Sequence, residues 1–184
     1  MHPYQHPLFV NFIVYFNENQ DYFECHEVLE EYWKSLPDSN KEHPLTAYIL
    51  LSTGMYHWRR GNTIGAIRTI RKAMNKFPTF STRHPSYTQK IDMRCLMQDV
   101  QNVMDRLENG MPFESFPIVV SSHNLTALVA QMKSSMELLP FGSDAIIHKH
   151  MLRDRSDILL ERNKSTINSN SRRLDEEKKK GRLF

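Results

Sequence analysis

The sequence predicts an all-α protein, a helical bundle built from tetratricopeptide-like helical hairpins, with a C-terminal helix and a flexible basic tail. Three observations predict it. Apolar residues recur at three- and four-residue spacing in one segment after another. Most of these segments open on a capping residue and close on glycine or proline. An internal repeat places small residues where two helices of a hairpin must approach closely.

Taken in order, residues 6–17 (HPLFVNFIVYFN) form a first apolar helix, with Phe9, Phe12, Ile13 and Phe16 on one stripe. Asn17 to Gln20 is a turn. Residues 21–34 (DYFECHEVLEEYWK) form the helix around which the chain is organised. Asp21 caps it, and Glu24 has the spacing to complete a capping box. Tyr22, Cys25, Val28, Leu29, Tyr32 and Trp33 share its apolar arc, while Glu24 and Glu31 face water. A loop with Pro37 follows. Residues 45–59 are apolar nearly all round, which marks a buried helix. Gly61 closes it as the residue past the helix end.

Asn62 or Thr63 opens an amphipathic helix over 63–77. Ile67, Ile70, Ala73, Met74 and Phe77 face inward, and Arg68, Arg71, Lys72 and Lys76 face outward. Pro78 is expected to stop it. A helix over 86–108 carries Leu96, Val100, Val103 and Leu107 on one face. Residues 111–120 read as an extended segment laid over the bundle. A helix over 125–138 is capped by Asn124, and 145–162 is the last. Residues 1–163 are expected to be one helical domain, with a core at 6–110 and an extension at 111–163. Residues 164–184 are expected to be a disordered charged tail.

The repeat lies in GMYHWRRGNTIGAIRTIRKAMNKFP, where Gly54, Ala66, Ala73 and Pro78 stand at the offsets of a tetratricopeptide hairpin. The first hairpin echoes it weakly through Tyr22 and Cys25. The distance from Cys25 to Ala66 exceeds the usual period of about 34, so the intervening loop carries an insertion.

Composition narrows the function classes. Hydrophobic residues make up 40% of the 184 residues and charged ones 24%, the balance of an ordinary soluble domain. No apolar run is long enough to span a bilayer. MHPYQHPLFV lacks the basic start and cleavage site of a signal peptide, so a cytoplasmic location is expected. The formal charge is +3. The tail accounts for it, through Arg172, Arg173, Lys178, Lys179, Lys180 and Arg182 against Asp175, Glu176 and Glu177. The body is close to neutral, so nucleic acid is not expected as a partner except through the tail. Cys25 and Cys95 read as reduced residues on apolar helix faces.

Taken together, YFECHEVLEEYWK and YHWRRGNTIGA resemble the family called domain of unknown function 309. KHMLRDRSDIL looks like the C-terminal end of its bacillary members. The resemblance covers most of residues 1–163. It implies a small all-helical bundle with no established activity. His26, Glu27, Glu30, Trp33, His57, Asn62 and Ala66 occupy the family's signature positions. The family often has a glutamine on the helix before the GN turn, where this chain has Leu50.

Two readings of those residues compete. His26-Glu27-x-x-Glu30 has the spacing of the HExxH zinc motif, with Glu30 in place of the second histidine. His26, Glu30 and His57 could then hold a divalent metal, and Glu27 could act as base in a metal-dependent hydrolase. Alternatively, His26, Glu30, His57 and Asn62 form a polar lock between two hairpins, and no cofactor is expected. Trp33 and Trp58 then serve in packing. The chain is in that case a non-catalytic module that binds a protein or peptide. Whether it is an enzyme, and how it oligomerises, is left open by the sequence.

Overall fold

The computed structural model describes residues 2–37 and 39–152. The chain divides into two units, Met1–Lys149 and His150–Phe184. All the regular elements among the described residues are helical, as the periodicity predicts. They are α1 (Pro7–Val14), α2 (Tyr22–Ser35), α3 (Leu45–Arg59), α4 (Thr63–Arg83), α5 (Met93–Glu108), α6 (His123–Ser135) and the short α7 (Asp144–Ile147) and α8 (Lys149–Leu152). No strand occurs among the described residues beyond one isolated bridge, Ile91 to Val120. None of their helices is long and apolar enough to cross a membrane.

Helices α1 to α5 pack each on the next, and α6 packs on α1. Short connections between such neighbours make an up-and-down arrangement. The apolar arc of α2 is as read. Tyr22, Cys25, Val28, Leu29 and Tyr32 are buried, and Trp33 is half-buried. Aromatic rings tie the layers together. Phe9 and Phe12 of α1 lie 5.7 and 5.6 Å from the Tyr48 ring of α3, and Tyr48 meets Phe77 of α4 edge-on at 5.1 Å. Tilted and edge-on pairs of this kind add roughly 0.5–1.5 kcal/mol each beyond the area they bury.

Helices α3 and α4 approach closely at Gly54. A Cβ on Gly54 would come within 2.5 Å of Ile70 Cδ1 and 3.3 Å of the Ile70 amide nitrogen. Ala66 and Ala73 face the same core with no exposed surface.

Several boundaries differ from those expected, each for a physical reason. Helix α4 runs through Pro78 to Arg83. The proline denies an amide to the Met74 carbonyl. Burial of Phe80 beyond it, and hydroxyl bonds from Ser81 to Phe77 O (3.0 Å) and Thr82 to Pro78 O (3.3 Å), sustain the last turn. Residues 86–108 are not one helix. A single turn at Pro85–Tyr87 is followed by a break, because the backbone at 90–92 pairs with the strap that follows α5. The Asp92 amide donates to Val119 O and the Ser121 amide to Lys90 O. Asp92 then caps α5 through the Cys95 amide at 3.0 Å.

Residues 111–119 form neither helix nor strand, and Val120 bridges to Ile91. Asn17 pins them by donating to Ile118 O at 2.9 Å and accepting from the Ile118 amide at 2.8 Å. Helix α1 gives way to a wider π turn at Tyr15–Asn19. Ser122, not Asn124, precedes α6, which ends at Ser135 rather than 138. The helix expected at 145–162 is interrupted at His148 between α7 and α8. Its remainder at 153–162, and the tail at 164–184, lie outside the described residues.

Candidate functional site

Asp21 starts α2 by accepting from the Glu24 amide at 3.0 Å. The expected capping box is half made. The Asp21 amide is already donated to the Tyr15 carbonyl, so the Glu24 carboxylate has no reason to turn back. It turns instead to Lys149, with Glu24 Oε1 2.9 Å and Asp21 Oδ2 2.7 Å from Nζ. Asp21 is 1% exposed and Lys149 24%. Burial alone would lower the Lys149 pKa; hydrogen bonds to the two carboxylates outweigh it and hold the ammonium above its ordinary value. Beside this pair, Arg59 donates Nη1 to the Gln20 carbonyl at 2.6 Å and lies 5.0 Å from the Tyr22 ring centroid. Gln20 has φ +56°, the left-handed conformation that turns the chain from α1 into α2.

Sequence reasoning missed this cluster. Its members span 128 residues, and only the coincidence of a cap and a lone distant lysine could have hinted at it.

One turn along α2, His26 stands between two carboxylates. Its Nδ1 lies 3.3 Å from Glu27 Oε1 and its Nε2 3.4 Å from Glu30 Oε1. Glu30 also pairs with Lys34. The His26 and Glu30 side chains are 27% and 32% exposed, so this is the rim of the buried arc and not the core. Trp33 closes the following loop by donating Nε1 to the Asn40 carbonyl at 3.1 Å. It is half-buried against the core, less enclosed than Trp58.

His57 and Asn62 form a second pair at the α3–α4 turn. Asn62 Oδ1 accepts from the Gly65 amide at 3.0 Å and caps α4. Its Nδ2 contacts His57 Nδ1 at 3.1 Å. An amide nitrogen only donates, so His57 Nδ1 is the acceptor and the ring proton sits on Nε2. Burial first, then the charges of Arg60 and nearby His26, hold the His57 pKa below the usual imidazole value, as a neutral acceptor requires. The glycines of the turn follow from the same geometry. Gly61 has φ +74°. A Cβ on Gly65 would fall 2.6 Å from Asn62 Nδ2. The spacing H-x-x-x-G-N-x-x-G is therefore that of one interlocked turn.

Residues 9–69 match the family model for the domain of unknown function 309 (DUF309). The resemblance read from the sequence stands. Both polar pairs and the GN turn lie inside the matched segment. The chain is also 29% identical over 163 residues to the uncharacterized protein YpuF of Bacillus subtilis (strain 168), across 85% of this chain and 91% of that protein. No solved structure matches.

The structure does not bring His26, Glu30 and His57 together as one group. His26 sits among its carboxylates on α2, while His57 is engaged with Asn62. Among the described residues no three His, Cys, Asp or Glu side chains are grouped to hold a metal ion. Leu50 is half-buried against the core and adds no polar group.

A different surface stands out. Ile64, Ile67, Arg68, Arg71, Lys72 and Asn75 line a shallow groove on the outward face of α4. Ile64 is 75% exposed, the most exposed of the large apolar residues among those described.

Proposed function

We propose that this chain is a non-catalytic binding module for a protein partner, and that its hairpins are tetratricopeptide-like. The close α3–α4 seam at Gly54, with Ala66 and Ala73 beside it, supports the hairpin reading. The observation that carries the binding reading is the division of labour around the α3–α4 turn. The signature side chains His57 and Asn62 are turned on each other and on the first turn of α4. His26 likewise contacts carboxylates of its own helix. His57 and Asn62 thus hold the α3–α4 turn and His26 stays on its own helix, while the adjoining face of α4 leaves an exposed isoleucine among cations.

Burying an exposed isoleucine contributes about 1.5–3 kcal/mol, enough to anchor an interface. Quantitative co-purification from the native cell tests the reading, comparing the natural chain with a variant carrying Ile64→Ser, Arg68→Ser and Lys72→Ser. A partner recovered with the natural chain and lost from the variant is the expected result. A natural chain that retains nothing above background after cross-linking would overturn it.

A further inference from the structure

We propose that the outward face of α4 docks an acidic amphipathic helix of a partner protein. The inference rests on the binding-module reading and names the chemistry of its partner. Residue 64, the pairs 67/68 and 71/72, and residue 75 recur every three to four positions, so they occupy one face over about three turns, roughly 16 Å. That length matches the contact of one short helix laid alongside.

The charge of the face has one sign. From Arg59 to Lys90 the chain holds eight lysines and arginines and no aspartate or glutamate. Arg68 and Lys72 are exposed and reach no carboxylate among the described residues. Arg71 meets Glu108 at 2.9 Å, with both side chains more than half exposed. A surface pair of that kind exchanges readily for a partner's carboxylate.

Three occupants fit a cationic groove in principle, and the apolar residues decide among them. A second copy bound face to face would set Arg68 and Lys72 against their own copies, like charge on like. A phosphate backbone would satisfy the cations, yet it offers nothing to cover Ile64. An amphipathic helix with Leu or Ile at i, i+3 or i+4 and i+7, flanked by Asp and Glu, satisfies both. Its apolar stripe covers Ile64 and Ile67, and its carboxylates reach Arg68, Arg71 and Lys72.

Fluorescence anisotropy on the full chain tests this with three labelled probes. One is a helical peptide of about 18 residues, five turns, with a Leu stripe and Glu elsewhere. The second is the same composition scrambled so that no stripe forms, and the third is a DNA duplex of similar length. The striped peptide is expected to bind at least about tenfold tighter than the scrambled one, a difference of ~1.4 kcal/mol. Its binding should weaken as salt is raised. Ile64→Ser should reduce it to the scrambled level, and Arg68→Glu with Lys72→Glu should abolish it. Both substitutions are at exposed positions, and an unchanged melting temperature shows that the fold is intact.

Tighter binding of the duplex, with Ile64→Ser without effect, would overturn the proposal in favour of a polyanion. So would a striped peptide that binds no better than the scrambled one. If the peptides fail while a co-purified partner is still lost from the α4 variant, the binding module stands and only its partner chemistry falls.

Discussion

Asn62 holds His57 with one end of its amide and the first turn of α4 with the other. The Nδ2 donation at 3.1 Å and the Oδ1 cap at 3.0 Å come from one side chain. Asn62→Ala should therefore lose the cap, at a cost of about 1 kcal/mol. It should also raise the His57 pKa, because a hydrogen bond to the neutral imidazole disappears. Paired melts and an NMR titration of the His57 ring check the two effects together. A lower melting temperature with an unmoved titration would show that the contact with His57 carries no weight.

The pH dependence follows with a definite sign. The His57 pKa is lowered in the folded state from the model-peptide value of 6.5. The unfolded chain then binds more protons as pH falls, so the contribution of His57 is fully present above about pH 6.5 and declines below it. His2 and His6 are shifted the same way, so the change must be isolated. His57→Gln should flatten the slope of denaturant-derived stability between about pH 5 and 6.5 relative to the natural chain. An identical slope in the variant would contradict the assignment.

Lys149 and Asp21 form the most enclosed ion pair among the described residues. Asp21→Ala removes the cap of α2 and leaves a half-buried ammonium with Glu24 alone. A loss of about 3 kcal/mol is expected, more than a cap costs by itself. Lys149→Met in the same chain should recover part of it, since an uncompensated charge is then no longer buried. A double-mutant cycle by urea denaturation measures the coupling. Strict additivity would show that the two residues act separately.

Gly54→Ala tests the close α3–α4 contact. Alanine favours the helix by about 1 kcal/mol, but its Cβ collides with the fully buried Ile70, at roughly 1–3 kcal/mol. A net loss is expected. Ile70→Val, which removes the Cδ1 atom 2.5 Å away, should make the double variant more stable than the two single losses predict. If Gly54→Ala alone stabilises the protein, the seam is looser than described.

Much of the fold was legible because helical periodicity is a local property. The α2 arc from Tyr22 to Tyr32, the Asp21 cap and the Asn62 cap all depend on residues within four positions of one another. What was not legible depends on distant partners. Pro78 reads as a stop until the burial of Phe80 is known. The break before α5 exists because residues 90–92 pair with 119–121, whose positions no local pattern fixes. The Lys149 clamp joins residues 128 positions apart in the chain. The candidate residues were legible by type. Their separation into His26 with its carboxylates on α2 and His57 with Asn62 at the α3–α4 turn was not, because it depends on how distant helices pack, which no local pattern fixes. The α4 face was visible as outward cations, while its exposed Ile64 was not distinguished from the inward stripe.

If the α4 face does the binding, as proposed, His57 and Asn62 serve only to hold the α3–α4 turn. The most direct measurement is partner retention by two variants, Asn62→Ala and the Ile64→Ser, Arg68→Ser, Lys72→Ser face variant, at a temperature where both are folded. The account predicts that Asn62→Ala melts earlier yet keeps its partner, and that the face variant melts like the natural chain yet loses it. Loss of the partner from Asn62→Ala, with retention by the face variant, would contradict it.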